Sequence, residues 1–153
     1  MKIRADEHVA AAIVKAVREI SLSPGVKLSS VKEAGHAGAS DVHWITKFAE
    51  EGGDAILSAD KDFLKLEPQV NAVFDTGMKV IHLPPKWQNA PGHLQAAHIL
   101  QWWKRIEQTV TSMRQRECYR PEWNITDRGE MKKVKIDFAK AQKTRRHSKN
   151  KGG

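Results

Sequence analysis

The feature that most constrains the fold of this chain is an alternation of strand-like and helix-like segments over its first half. Short apolar or β-branched runs predict strands, and apolar residues at helical spacing predict the helices between them. The predicted strands lie at 2–6, 26–31, 54–59 and 78–83, and the predicted helices at 8–20, 41–52 and 63–75. Such alternation is typical of parallel strands with helices on both faces. We therefore predict a three-layer α/β/α fold around a four-stranded parallel sheet of order 2-1-3-4.

The second half of the chain has a different pattern, which divides the chain into four segments. After the α/β domain of residues 1–85, residues 86–118 carry a long amphipathic helix that includes Trp102 and Trp103. Its apolar stripe is typical of packing against the domain or against a second copy of the chain, as in a homodimer. Residues 119–138 indicate a hairpin with Asp127 and Gly129 in the turn. Residues 139–153 are almost devoid of apolar side chains and are predicted to be a disordered basic tail.

The net charge of +8 is concentrated near the C-terminal end. Residues 131–153 contain nine Lys or Arg and one acid, Asp137, whereas residues 1–90 are nearly neutral. A basic arm attracts polyanions, so nucleic acid contact and a solvated tail are equally good interpretations. The candidate nucleic-acid-binding residues are Lys132, Lys133, Lys135, Lys140, Lys143, Arg145, Arg146 and Lys149.

Cysteine usage and hydropathy indicate the compartment. The single cysteine, Cys118, excludes an intrachain disulfide framework and a Cys-based zinc site, and it suits a reducing cytosol. Charged residues interrupt the N-terminal apolar stretch, and no window approaches the roughly 18 apolar residues of a membrane span. These observations predict a soluble, cytoplasmic protein that does not bind a membrane.

Acidic residues follow two of the predicted strands. Asp6 ends the first strand, Asp60 ends the third, and Asp41 begins the helix that leads into the third. Ligands of open parallel sheets bind beyond the carboxyl ends of the strands, where the strand order reverses. Carboxylates gathered there repel one another unless a cation lies between them, and all-oxygen ligands suit Mg²⁺ or Mn²⁺. Such a metal site can activate water for attack on a phosphodiester.

Each of these acids also has a purely local explanation. Asp41 follows Ser40 and suits a helix N-terminus, whereas Asp60 and Asp62 suit a turn. Asp6 suits the start of the first helix. Only the joint placement of the acids at one sheet edge favours the metal site over these explanations.

Three segments of the chain resemble the short PIN-like domains, which are compact relatives of the VapC-type ribonucleases. They are KIRADEHV, GASDVHWITKFAEEGGDAILSADKDF and GMKVIHLP, within residues 1–85. Members of the family typically open with a strand ending in Asp-Glu-Asn and close a later apolar strand with Thr-x-Asp-x-Asp-Phe. The resemblance implies that Asp6, Asp41 and Asp60 are the catalytic residues and bind Mg²⁺ or Mn²⁺ to cleave single-stranded RNA. It implies supporting roles for Asp62 and Ser58, and Glu7 is a further supporting candidate because it stands next to Asp6.

The resemblance also implies a role as the toxin of a toxin–antitoxin pair, with RNA and an antitoxin protein as partners. Two departures favour an alternative. His8 stands where the family has Asn, and the extra Glu of longer PIN nucleases has no counterpart, since neither Glu7 nor Glu33 sits at that motif. The alternative is a catalytically weak or inactive PIN-like module that binds RNA or protein. A phospho-acceptor domain ranks last, because Lys61 and Lys79 are poorly placed for it.

Overall fold

The computed structural model describes residues 1–125 and 129–152. Its strands are β1 (Lys2–Ala5), β2 (Lys27–Ser30), β3 (Ala55–Ser58), β4 (Lys79–His82), β5 (Cys118–Arg120) and β6 (Lys132–Val134). Its helices are α1 (Ala11–Ile20), α2 (Asp41–Glu50), α3 (Glu67–Thr76), α4 (Pro85–Asn89), α5 (Gly92–Ser112) and α6 (Phe138–Gly152). The alternation of strands and helices over the first half of the chain is confirmed.

All six strands form one sheet in the order β2-β1-β3-β4-β5-β6. β5 pairs parallel with β4, and β6 pairs antiparallel with β5. The prediction of a four-stranded sheet of order 2-1-3-4 is therefore wrong for the sheet as a whole, because β5 and β6 extend it beyond β4. These two strands have only three residues each and no long β-branched run, so their pairing depends on the neighbouring strands rather than on local pattern.

The sheet lies between two layers of helices, as an α/β/α arrangement requires. One apolar core packs α1 and α5 against one face, with Trp102 and Trp103 fully buried in it. The other core packs α2, α3 and α6 against the opposite face and includes Trp44 and Phe63. The apolar stripe of α5 therefore packs within this chain.

The segment between β3 and α3 is a series of turns. Helix α3 begins at Glu67, later than residue 63 where the sequence predicts it, and Pro68 lies in its first turn. Gly77 ends α3 with a φ of +72°, a left-handed conformation that glycine adopts without strain. Residues 60–66 are therefore not helical, and they lie at the carboxyl end of β3.

The basic C-terminal segment is helical, so the prediction of a disordered tail at 139–153 is wrong for the described residues. Phe138 and Ala141 of α6 pack against the core on the α3 side of the sheet. The side chain of Asn71 donates a hydrogen bond to the carbonyl of Ala141 at 3.0 Å, and Arg145 forms an ion pair with Asp75 at 2.7 Å. These contacts stabilise α6 although its overall composition is strongly polar.

An antiparallel pair, β5–β6, forms in the region of the predicted hairpin, but β5 is Cys118–Arg120 and not the stretch from residue 123 in which the sequence predicts the first strand. Asp127, predicted to be in its turn, lies outside the described residues. Within the described chain, every helix is too short or too polar to cross a membrane.

Candidate functional site

Four polar side chains lie at the carboxyl ends of four adjacent parallel strands. Asp6 follows β1, and Ser58, His82 and Arg120 are the last residues of β3, β4 and β5. Side chains two positions apart share a face of a strand. Ile56, Val80 and Cys118 stand two positions before Ser58, His82 and Arg120, and they belong to the core beneath α2, α3 and α6. Ser58, His82 and Arg120 therefore lie on the same face of the sheet as that core, at the carboxyl ends of the strands.

Asp6 is the most buried of the predicted acids, with 2% of its surface exposed. Its Oδ2 accepts a hydrogen bond from the hydroxyl of Ser58. Its Oδ1 accepts from the backbone N–H of His8 at 3.0 Å and of Ala59 at 3.4 Å. Burial raises the pKa of Asp6 to about 6, although the hydrogen bond from Ser58 and the nearby His8 act in the opposite direction. A nearby cation would therefore stabilise the ionised form of this carboxyl group.

Ser58 connects Asp6 to Asp60. The hydroxyl oxygen of Ser58 accepts a hydrogen bond from the backbone N–H of Asp60 at 3.2 Å while its proton points to Asp6. Asp60 Oδ1 accepts from the backbone N–H of Asp62 at 3.0 Å, which is the local turn that the sequence predicts as an alternative. Asp60 can form this turn and also lie near Asp6, because only its Oδ1 takes part in the turn and its Oδ2 does not.

Asp41 is the first residue of α2, and neighbouring side chains hold both of its carboxylate oxygens. Oδ1 accepts from the indole Nε1–H of Trp44 and Oδ2 from the amide Nε2–H of Gln69, each at 2.8 Å. The hydroxyl of Ser40 caps the helix by accepting from the backbone N–H of His43 at 3.3 Å. Asp41 therefore links the start of α2 to the first turns of α3.

Glu7 lies between Asp6 and Asp41. It lines a cleft of about 340 Å³ together with Asp6 and a second cleft of about 480 Å³ together with Asp41. Its Oε1 accepts a hydrogen bond from the backbone N–H of Gly38 at 2.8 Å. Asp6 and Asp41 thus line two different clefts, and Asp60 lines neither of them. Residues 1–125 and 129–152 contain no group of three or more His, Cys, Asp or Glu already arranged to hold a metal ion. The assignment of Asp6, Asp41 and Asp60 as metal ligands stays a prediction.

The structure adds two residues that the sequence analysis missed. His82 is buried, and its Nε2 lies 2.8 Å from the carbonyl oxygen of Asp60. Its Nδ1 lies 2.7 Å from Nη2 of Arg120. Burial lowers the pKa of His82, so the imidazole is neutral near pH 7. A histidine at the end of the apolar strand VIHL was a usable signal, whereas Arg120 stands in a strand too short to predict.

The predicted nucleic-acid-binding residues fall into two groups. Three of them form ion pairs: Lys132 with Glu122 at 3.0 Å, Lys133 with Glu117 at 2.6 Å and Arg145 with Asp75 at 2.7 Å. The other five are exposed, with no recorded ion pair in the described part of the chain: Lys135, Lys140, Lys143, Arg146 and Lys149. Four of those five project from α6, so their charges are carried by an ordered helix.

One family comparison bears on this edge of the sheet. A family model described as PIN like domain matches residues 1–85, which is more than half of the chain. The matched region spans β1 to β4 and contains Asp6, Asp41 and Asp60. No curated protein and no solved structure matches the chain significantly.

Proposed function

This chain belongs to the PIN-like domain family, and we propose that it is a metal-dependent endoribonuclease that cleaves single-stranded RNA. PIN-like domains are often nucleases. The observation that carries the proposal is the buried carboxyl group of Asp6 at the carboxyl edge of the sheet, beside Ser58 and Asp60. By family resemblance, the proposal includes a role as the toxin of a toxin–antitoxin pair.

The environment of Asp6 supports a cation site more strongly than a structural role. A buried carboxyl group whose pKa is raised to about 6 destabilises the folded chain at neutral pH. Asparagine would form a similar turn without that cost. The candidate donors are all carboxylate and hydroxyl oxygens, which suits Mg²⁺ or Mn²⁺. Asp6, Asp60 and Asp41 would hold the ion, which would supply charge stabilisation and an activated water for phosphodiester hydrolysis.

The side chains around the acids orient them. The hydroxyl of Ser58 fixes Oδ2 of Asp6, and the backbone N–H groups of His8 and Ala59 fix Oδ1. Trp44 and Gln69 orient Asp41 in the way that outer hydrogen bonds orient the carboxylate ligands of metal sites. Glu7 and Asp62 contribute negative charge at the margin of the site.

A second candidate function is a PIN-like module that binds RNA or protein without cleaving it. The observation that favours it is the engagement of both Asp41 oxygens by Trp44 and Gln69, in a described chain that holds no ready three-residue metal cluster. In that case the exposed cations of α6 would provide the contact with RNA.

Cleavage of labelled single-stranded RNA by the purified protein separates the two functions. The nuclease should cut in Mn²⁺ or Mg²⁺, stop in EDTA, and lose activity in the Asp6→Asn and Asp60→Asn proteins. Glu19→Gln is the matched control, because Glu19 is an exposed acid on α1 whose recorded ion pair is with Lys15. RNA binding with no cleavage in either metal would support the binding module. Cleavage that persists in EDTA would contradict the metal-dependent mechanism.

A further inference from the structure

Arg120 extends the polar edge of the sheet beyond the acids. It ends β5, and β4 lies between β5 and β3. Ser58 is in register with His82, and Ile81 is in register with Tyr119, the residue before Arg120. Ser58 and Arg120 are therefore two strand spacings apart, about 10 Å. One nucleic acid strand lying along this edge can contact both.

Two hydrogen bonds fix the position of the Arg120 guanidinium relative to Asp60. Its Nη2 donates to His82 Nδ1 at 2.7 Å, and His82 Nε2 lies 2.8 Å from the Asp60 carbonyl oxygen. A guanidinium only donates and a carbonyl only accepts, so the imidazole must carry its proton on Nε2. The guanidinium is thereby held on an ordered part of the sheet, next to the segment that carries the acids.

The guanidinium of Arg120 has no ion-pair partner within the described chain. No carboxylate among the described residues forms a recorded ion pair with it, and its Nε is buried without a hydrogen-bond partner. Glu122, two positions further on, is engaged by Lys132 at 3.0 Å. A partly buried cation without a counter-ion is unfavourable, and the planar fork of a guanidinium matches the oxygens of a phosphate.

A second cation lies beside Arg120. Lys132 is directly opposite Arg120 in the antiparallel pairing of β5 and β6, so the two side chains share a face of the sheet. The side chain of Lys132 is 75% exposed, and its pairing with Glu122 is therefore weak and exchangeable. Together the two residues form a small positive site adjoining the acidic one.

We propose that Arg120, assisted by Lys132, binds a backbone phosphate of single-stranded RNA next to the phosphodiester that is cleaved at the acidic edge. This assignment rests on the proposed ribonuclease function. Its role is to fix the register of the RNA strand, while the acids bind the reacting group. Arg120 is thus a substrate-binding residue contributed by a strand outside the matched family region.

The test compares Arg120→Gln with Arg114→Gln. Arg114 is an exposed arginine between α5 and the start of β5, away from the carboxyl ends of the strands. Binding of a fluorescent single-stranded RNA is measured in EDTA over a range of NaCl concentrations, and cleavage is measured in Mn²⁺. Loss of one phosphate contact lowers the slope of log affinity against log salt by roughly 0.7. We expect that change, with a raised KM and little change in kcat, for Arg120→Gln and a wild-type slope for Arg114→Gln. Should Arg120→Gln fail to fold, Lys132→Gln carries the salt-slope comparison. Arg120→Lys keeps the charge but loses the planar fork, so it should raise KM with little change in the slope.

A wild-type salt slope in Arg120→Gln would overturn the phosphate site, as would the absence of measurable RNA binding by the wild-type protein. Measuring cleavage as well as binding distinguishes failure of the proposed ribonuclease function from failure of the phosphate site. If the wild-type protein cleaves RNA and Asp6→Asn does not, while Arg120→Gln binds normally, the nuclease stands and the phosphate site falls. If the wild-type protein never cleaves RNA but Arg120→Gln lowers the slope, the phosphate site stands and the nuclease falls.

Discussion

The hydroxyl of Ser58 donates a hydrogen bond to the carboxylate of Asp6, joining the ends of β3 and β1 across 52 positions of sequence. The same oxygen accepts from the backbone N–H of Asp60 at 3.2 Å. One hydroxyl group therefore sets the relative positions of the two acids that end adjacent parallel strands. The chemistry proposed for this edge depends on that arrangement.

Asp6→Asn should increase the stability of the folded chain at neutral pH. Burial raises the pKa of Asp6 from 3.8 to about 6, so between these values the folded state binds more protons than the unfolded state. The free energy of unfolding of the wild-type protein therefore falls as pH rises through this window, by about 3 kcal/mol from this group. In urea unfolding from pH 4 to 8, the free energy of unfolding of Asp6→Asn minus that of the wild-type protein should increase up to about pH 6 and then stay constant.

Asp62→Asn provides the control for that experiment, because Asp62 lies in the turns after β3 and is more exposed than Asp6. This variant separates the effect of removing Asp6 from the effect of removing an acid elsewhere at the carboxyl ends of the strands. A pH-independent difference between the Asp6→Asn and wild-type proteins would show that Asp6 does not titrate near pH 6.

Ser58→Ala should destabilise the chain more at pH 8 than at pH 5. The substitution removes the hydroxyl that stabilises the ionised form of Asp6 and leaves a buried carboxylate oxygen without its donor. The expected loss at pH 8 is about 2 kcal/mol, and it shrinks at pH 5 because Asp6 is then largely protonated. Ser58→Thr keeps the hydroxyl and should retain most of the stability. Equal losses at both pH values would argue against this coupling.

The four strands β1 to β4 were predictable because their apolar runs are long enough to show a pattern. The acids at the ends of β1 and β3 were predictable from parallel topology. The contact between Asp41 and Gln69, by contrast, depends on how α2 packs against α3, and no local pattern encodes it. Helix α6 was missed because two apolar residues, Phe138 and Ala141, dock a segment whose composition is otherwise that of a disordered tail.

Divalent metal should raise the thermal stability of the wild-type protein but not that of Asp6→Asn. At free Mn²⁺ a hundred times its dissociation constant, binding adds about 2.7 kcal/mol to the free energy of unfolding. Asp60→Asn and Asp41→Asn should each reduce the shift in melting temperature, and the exposed-acid control Glu19→Gln should not. An identical Mn²⁺ shift in the wild-type and Asp6→Asn proteins would rule out Asp6 as a ligand.

Neutralising exposed cations of α6 should weaken RNA binding without changing stability. Lys143 and Arg146 are exposed and have no recorded ion pair among the described residues, so Lys143→Gln with Arg146→Gln removes charge but little packing. Each lost phosphate contact should lower the salt slope of single-stranded RNA binding by roughly 0.7.

Arg145→Gln is the complementary variant, because Arg145 pairs with Asp75 and anchors α6 to α3. It should lower protection of α6 amides from hydrogen exchange, which the double variant should leave unchanged. RNA binding that is insensitive to the double variant would show that α6 does not contact RNA.

Two measurements on one variant, Asp6→Asn, at pH 8 test whether the buried carboxyl group of Asp6 serves catalysis. The first is the rate of single-stranded RNA cleavage in Mn²⁺, and the second is the free energy of unfolding. The buried carboxyl group is retained for chemistry at the expense of stability, so cleavage should fall at least about 100-fold while the free energy of unfolding rises. Cleavage at the wild-type rate by a folded Asp6→Asn protein would contradict a catalytic role for Asp6.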